Sequence, residues 1–583
     1  MNIVNCKWSN GKVLMALSFV ACLLPLSQAA AQIRVNQVAF YPQQEKVAVV
    51  ENVSKKVTLT VRNAETGKVV GKTRFVRTSQ SPWSKKRRAI VDFSRVTAPG
   101  HYVLEYKDCK MPIEIREHAL TGLAAGAIKS FFLNRSGMAI DAKYAGQWAR
   151  PLGHPDTQVM IHPSAASPGR PAGTIISSPY GWYDAGDYNK YIVNSAYSVS
   201  LMLFAYEQNK AYFDALKVSI PEEGNQTADL LDELMYNLKW MLTMQDPYDG
   251  GVYHKLTTPN FEGMVMPTDC HQQRYVVQKS VTASYDFAAV MAQAARIYKG
   301  NKDYPCFSEQ ASRAALAAYH WAEQHPRAFY NQRELSKNFQ PAVSTGEYGD
   351  GHAGDERYWA ATELFLMTED PLFREVAVQM QPQEFRVPSW GGVASLGSFS
   401  WLSCPEDELG QKNRELLIAY CDGQLATMAT SGFQTPSGNK PTDFAWGCLA
   451  ETFCVNGMVQ LYAYRLTGDA KYLKAAQQNM DYILGRNATG YCYVTGFGTK
   501  SPMHPHHRLS TADGVEAPLP GMLVGGPNPG QQDSHEIGVD YASKEPDESY
   551  ADVMPSYASN EIAINWSAAL VALVGWLDGE MNK

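Results

Sequence analysis

LTGDAKYL, residues 466–473, ends one apolar helical pattern at a glycine-containing turn and opens another. Beyond it Tyr472, Ala476, Met480 and Ile483 recur at the spacing of a single helix face. The same degenerate unit, a polar or glycine turn followed by an aromatic or leucine anchor, returns as YEQNKAYF (206–213), YKGNKDYP (298–305) and MTEDPLF (367–373). Around these turns apolar periodicity predicts helices over 190–207, 227–245, 281–298, 308–324, 355–367, 444–465, 471–484 and 560–577. Units of roughly 70–100 residues are too long for tetratricopeptide or HEAT repeats. Helix pairs joined by long insertions fit a closed α/α toroid better than an open solenoid. Such a ring gathers its insertion loops on one face, where a site can be assembled. The Gly- and Pro-rich stretches 151–181 and 495–530 read as two of those loops.

Ahead of the helices the period changes to two. KVTLTV (56–61) sets Val57, Leu59 and Val61 on one face, HYVLEY (101–106) does the same with Tyr102, Leu104 and Tyr106, and MPIEIRE closes the segment. Several short alternating strands predict a small β-sandwich of immunoglobulin type over 32–117. At 583 residues the chain exceeds one ordinary core, and the all-α barrel is expected over 118–583. Residues 1–31 read as a signal peptide: Lys7 and Lys12, the apolar run 13–26, then SQAAAQ, whose A-x-A pattern predicts cleavage near Ala31 and export. FVAC (19–22) leaves a lipid anchor at Cys22 as a minor alternative. No other stretch approaches the ~20 apolar residues of a membrane span.

Composition narrows the function. With 45% apolar and 19% charged residues the chain is globular rather than disordered. Its net charge of −6 and single short basic run, SKKRR (84–88), argue against nucleic acid as a partner. Cys109, Cys270, Cys306, Cys404, Cys421, Cys448, Cys454 and Cys492 show neither CxxC nor regular spacing, which argues against a disulfide framework or zinc finger. They read as small hydrophobes, with room for one or two bridges. The 12 Trp and 32 Tyr suit stacking surfaces for flat ligands, although a large core also accounts for them.

Three constellations could carry chemistry. GWYDAGDYNKY (181–191) places Asp184 and Asp187 three apart among Trp182, Tyr183, Tyr188 and Tyr191. PMHPHHR (502–508) packs three histidines and an arginine into seven residues. YADVMPSYASNEIAINW (550–566) carries Asp552 and then Glu561 at the start of the last apolar helix. Each also has a plain structural reading. Asp187 could cap a helix beginning near Tyr188, Asp184 could bond its own loop, and Glu561 could be a first-turn glutamate favoured by the helix dipole. HPHHR could be a metal cluster, yet it lacks helical H-x3-H spacing and Pro505 forbids a regular helix there. Glycoside hydrolysis uses these parts together: one carboxylate as base, one carboxylic acid as proton donor, and a sugar on aromatic platforms.

On these residues the chain resembles glycoside hydrolase family 9, the cellulase-type enzymes, over essentially the whole mature sequence. IRVNQVAFYP (33–42) resembles the start of that family's N-terminal immunoglobulin-like domain. GWYDAGDYNKY is similar to its aspartate motif, YVTGFG…PHHR (493–508) to its histidine signature, and Asp552-x4-Tyr557-x3-Glu561 to its glutamate signature. The resemblance implies an (α/α)6 barrel and inverting hydrolysis of β-1,4-glucan with no cofactor required for the chemistry. Asp187 would be the general base, Asp184 its support, and Glu561 the general acid. His506 and Arg508 would bind sugar beside the scissile bond, and Asp552 is the acidic member of the glutamate signature. His254, Trp359, Trp566, Trp401, Tyr183 and Tyr557 are further expected substrate contacts. Burial, or a carboxylate such as Asp552, should raise the pKa of Glu561 against the helix dipole.

Ser567 stands where the glutamate signature usually has Asn, and 151–180 has no cysteine to carry the structural zinc of some relatives. The resemblance also implies a structural calcium near EYGDGHAGDE (347–356), with Asp350, Asp355 and Glu356 as ligands. The expected substrate is cellulose-type glucan. Alternatives are a xyloglucan, mixed-linkage or exo-acting enzyme, a non-catalytic glycan-binding protein, and a metal-dependent hydrolase built on HPHHR.

Overall fold

The computed structural model describes residues 30–583. The signal-peptide and Cys22 readings lie outside these residues, apart from the predicted cleavage point. Among the described residues no helix is long and apolar enough to cross a membrane.

Two four-stranded sheets build the N-terminal sandwich. Its strands are β1 (Gln32–Arg34), β2 (Val47–Glu51), β3 (Thr60–Asn63), β4 (Val69–Lys72), β5 (Arg74–Gln80), β6 (Arg87–Asp92), β7 (Gly100–Tyr106) and β8 (Cys109–Ile115). One sheet runs β1-β2-β6-β5 and the other β4-β3-β7-β8. Val57, Leu59, Val61, Tyr102 and Leu104 fill the core between them, as their alternation predicts. β2 shows why a strand can be apolar on both faces. Ala48 and Val50 point into the sandwich, while Val47 and Val49, with Ile90 of β6, join the core of the helical domain. Buried polar contacts fix the junction. Asn36 Nδ2 donates to Asp481 at 2.8 Å, and Arg88 bridges Glu51 of β2 and Asp547 of the helical domain.

From Thr121 the chain forms six helical hairpins in a ring. The inner helices are Ile192–Gln208, Val281–Ile297, Gly354–Thr368, Ala394–Trp401, the run Leu449–Thr467 and Ile564–Met581. Ile192–Gln208 and Ile564–Met581 are buried almost all round, as an inner layer requires. Thr121–Leu133, Asp229–Thr243, Phe307–Gln324, Pro371–Gln379, Glu408–Met428 and Ala470–Ile483 form the outer layer. LTGDAKYL is one of the hairpin turns. Gly468 takes the left-handed conformation (φ 72°) that ends the inner helix, and the Asp469 carboxylate caps the outer one by accepting from Lys471 N. The other three turn sequences also join helix to helix.

Three details depart from the sequence reading. Glu408–Met428 is not among the helices that periodicity predicts: only Leu409, Gly410, Asn413, Leu417 and Cys421 are buried, and polar residues surround that narrow face. The run expected over 444–465 starts at Leu449 with a π-helical turn, Leu449–Val455. The insertion loops pair into a small sheet of β9 (Val159–Ile161), β10 (Ile175–Ile176), β11 (Lys190–Tyr191), β12 (Lys255–Thr257) and β13 (Tyr275–Val276), ordered β10-β9-β13-β12-β11. This sheet grips the C-terminal end of GWYDAGDYNKY. All eight described cysteines are free, and Cys421, Cys448, Cys454 and Cys492 are buried.

Candidate active site

GWYDAGDYNKY is held from both ends. Trp182 Nε1 donates to Glu233 at 2.8 Å on the outer helix Asp229–Thr243, and Lys190 pairs with buried Asp156 at 2.7 Å, well away from the aspartates' own partners. Asp187 is therefore no helix cap, since the helix begins only at Ile192. The loop's aromatics are mostly internal bracing rather than sugar platforms. Tyr183, expected as a substrate contact, is fully buried and hydrogen-bonded to His154 Nδ1 at 3.0 Å. Tyr191 alone of the four reaches a catalytic-type carboxylate, donating to Asp187 Oδ2 at 3.0 Å.

The two aspartates have separate partners. Asp187 Oδ2 also accepts from Asn189 Nδ2, and Asn189 is fixed in turn by Thr257 and Thr258 beside β12. Asp184 accepts from Asn194 Nδ2 at 2.7 Å and from the Tyr348 hydroxyl at 2.8 Å. Burial and the neighbouring charge of Asp187 push the Asp184 carboxyl up, against those two bonds. The pair is therefore reluctant to carry two negative charges at once.

Glu561 completes the group. It is not in the first turn of a helix but in extended backbone (φ −71°, ψ 158°), ahead of Ile564–Met581. Its carbonyl accepts from Gly525 N at 3.0 Å, and its neighbour Asn560 accepts from His506 N at 2.9 Å. The dipole conflict expected from sequence does not arise. Gly186, between the two aspartates, donates its N–H to Glu561 Oε1 at 3.3 Å. Only glycine fits there, because a Cβ would meet the His506 carbonyl at 2.4 Å and Glu561 Oε1 at 3.0 Å. Burial first, then the charges of Asp187 and Asp184, push the Glu561 carboxyl up to about 8, while the Gly186 N–H and Arg508 oppose the rise.

Asp552 does not contribute to that shift and does not line the cleft. Its carboxylate accepts from Met503 N at 2.9 Å, His504 N at 3.0 Å and Asn560 Nδ2 at 3.1 Å, so it shapes the HPHHR loop. His506 Nδ1 donates to the Met554 carbonyl at 2.9 Å. Burial keeps its pKa below the usual value, so Nε2 of the neutral ring is an acceptor. Arg508 donates from Nε to Glu262 O at 2.9 Å and from Nη1 to Gly186 O at 2.6 Å. It thus clamps the peptide that separates the two aspartates.

These side chains face one cleft of about 840 Å3, which Tyr557 and Trp566 also line. Three other expected contacts do not reach it. Trp401 is buried between the two helix layers, packed with Tyr358, Ala377 and Leu409 and stacked on Phe365 with its Nε1 on Thr362 at 3.0 Å. Trp359 is fully buried in the main core. His254 is fully buried, stacked on Tyr330 and bonded to Ser280 Oγ and the Glu347 carbonyl, both at 2.8 Å. It braces the segment that carries Tyr348. The cleft instead exposes Phe261, Trp390 and Trp446, with Glu451 at its wall. Half-exposed aromatics such as Trp446 lie in loops where no periodicity marks them.

The acidic stretch expected to hold calcium is divided. Asp355 is spent on His352 Nδ1 at 3.2 Å and Val393 N at 2.9 Å, and Asp350 accepts from His352 N at 2.9 Å. Among the described residues no three His, Cys, Asp or Glu side chains converge as a metal would require, so the set Asp350, Asp355 and Glu356 does not stand as expected. However, Asp286 has both carboxylate oxygens buried without a partner, and Glu356 Oε2 is likewise unpaired. Asp355 lies close enough to both to raise their pKa values, and the unpaired oxygens of Asp286 and Glu356 are hard donors of the kind calcium takes.

The model of glycosyl hydrolase family 9 matches residues 121–574, and that of the cellulase N-terminal Ig-like domain matches 28–111. A xyloglucan-specific endo-β-1,4-glucanase of Bacteroides ovatus is 54% identical, over 94% of this chain and 93% of that protein. Endoglucanase D of Acetivibrio thermocellus is 33% identical, over 94% of this chain and 84% of its own length. A solved structure described as Bacteroides ovatus GH9 superposes with a TM-score of 0.90 at 53% identity, covering 94% of this chain and 99% of the other.

Proposed function

The chain belongs to glycosyl hydrolase family 9, and from that membership and the cleft geometry we propose that it is an inverting endo-β-1,4-glucanase. The observation that carries the mechanism is the shared hub at Gly186, which sets a raised-pKa glutamate against a buried aspartate pair across one sugar-sized cleft. Glu561 keeps its proton to neutral pH and gives it to the glycosidic oxygen as the C1–O bond breaks. Asp187 takes a proton from a water whose oxygen bonds to C1 from the opposite face. Among the described residues its Oδ1 accepts no hydrogen bond, and this oxygen is left for the water. Asp184, reluctant to ionise beside it, positions the same water. Tyr557 and Trp566 supply aromatic walls, and His506 Nε2 accepts from a sugar hydroxyl.

Xyloglucan is the substrate the reading favours, supported by the 54% identical relative named for it, with unbranched β-1,4-glucan as the second reading. The N-terminal run 13–26 with its A-x-A pattern supports action outside the cytoplasm. A structural calcium drawn by the unpaired buried oxygens of Asp286 and Glu356 belongs to the same reading. Hydrolysis of xyloglucan, carboxymethyl cellulose and mixed-linkage glucan, followed by both viscosity and reducing ends, tests it. A rapid viscosity drop at low reducing-end yield is expected. Release of reducing ends with unchanged viscosity would instead mean exo action.

A further inference from the structure

Glu451 has no part in the catalysis described above, yet it occupies the same cleft. It lies in the π-helical turn Leu449–Val455, which opens the inner element ahead of the α-helix Asn456–Thr467. Such turns cluster at functional sites because they re-aim one side chain. Every other residue of the ring's inner wall that carries a carboxylate into the cleft has hydrogen-bond donors on it. Asp184 has Asn194 and Tyr348, Asp187 has Asn189 and Tyr191, Glu561 has Gly186 N, and Glu347 at the cleft edge has Gln332 N. Among the described residues the Glu451 carboxylate accepts no hydrogen bond and forms no ion pair, although it lines the cleft with Asn565, Trp390, Trp446 and Trp566. The Oδ1 of Asn565 is likewise buried and unpartnered. The Glu451 carboxylate therefore keeps its acceptor positions open to donors that enter the cleft, a ligand hydroxyl included.

We propose that Glu451 is a specificity-determining substrate contact, whose carboxylate accepts hydrogen bonds from a pair of sugar hydroxyls bound in the cleft. A carboxylate offers two oxygens at the spacing of vicinal hydroxyls, and charged acceptors make the stronger hydrogen bonds. The hydroxyls belong either to a glucosyl unit of the main chain or to a pendant xylosyl unit. Burial alone pushes the Glu451 carboxyl up to about 7, which is the cost that bound hydroxyls would offset. The proposal rests on the glucan-hydrolase reading for the identity of the ligand and on the cleft geometry for its place.

The test is calorimetric binding of cello-oligosaccharides and xylogluco-oligosaccharides to full-length Glu561→Gln protein, with and without Glu451→Ala or Glu451→Gln. Steady-state kinetics of the two single Glu451 variants accompany it. Kd is expected to rise about 10- to 100-fold in Glu451→Ala, the loss typical of a charge-assisted bond, with partial recovery in Glu451→Gln and an unchanged melting temperature. Loss on both oligosaccharide series assigns the main chain, and loss on the branched series alone assigns the pendant sugar. Kd within twofold of the parent on both series overturns the proposal. So does a loss that follows a fall in melting temperature in both variants, because Glu451 would then be bracing the π turn. If the wild-type protein hydrolyses no glucan, the catalytic reading falls, while the binding comparison still decides Glu451.

Discussion

Gly186 N donates to Glu561 Oε1 across 375 residues of sequence, so the peptide between the two aspartates also touches the residue opposite them. The catalytic predictions below depend on that contact, or on what raises and lowers the charges around it.

The Glu561 carboxyl, raised to about 8, gives the alkaline limb of the rate. Catalysis needs its protonated form, which dominates below that pKa and is lost above it. kcat/KM should therefore hold through neutral pH and fall about tenfold per unit above roughly pH 8. A profile that declines already above pH 5 would mean Glu561 ionises like an ordinary glutamate.

Glu561→Gln should lower kcat on polysaccharide by about 100- to 10,000-fold, but much less on an aryl cellobioside whose leaving group needs no proton. Asp187→Asn should abolish both activities, since the water must be activated whatever the leaving group. Equal losses on the two substrates in both variants would contradict the division of roles.

Gly186→Ala should cost nearly all activity, because the new methyl meets backbone at the His506 carbonyl as well as the Glu561 carboxylate. The expected readout is a loss of at least about 100-fold in kcat/KM, with a stability cost of about 1–3 kcal/mol by denaturant titration. Wild-type turnover in this variant would show that the loop has room to move.

Asp286 carries two buried oxygens with no partner, beside Glu356. Calcium should raise the melting temperature of the wild-type protein, EGTA should reverse the rise, and Asp286→Asn should show neither effect. Identical behaviour of variant and wild type would place any bound calcium elsewhere.

Much of this was legible before any coordinates. The turn at Gly468 and Asp469 carries its own helix-stop and helix-start chemistry, and the three motifs name both halves of the site. What sequence could not supply was which side chains turn inward. Trp401 and Trp359 read as platforms but lie in the core, because helix faces in a two-layered ring are apolar on both sides. Phe261, Trp390 and Trp446 line the cleft from segments whose direction only the folded loops determine. Glu561 looked like a helix-start glutamate because Ile562 and Ile564 extend the apolar run toward it. Pairing with His506 holds it extended instead. Glu451 gave no signal at all, since a π turn has no periodicity of its own.

The central claim is that Asp187 and Glu561 act on opposite faces of the sugar across a single water. Proton NMR of the first product formed from a soluble β-1,4-glucan oligosaccharide, recorded before mutarotation, tests it most directly. The account predicts the α-anomer, inverted from the β-linked substrate, as the initial product. An initial β-anomer would contradict it.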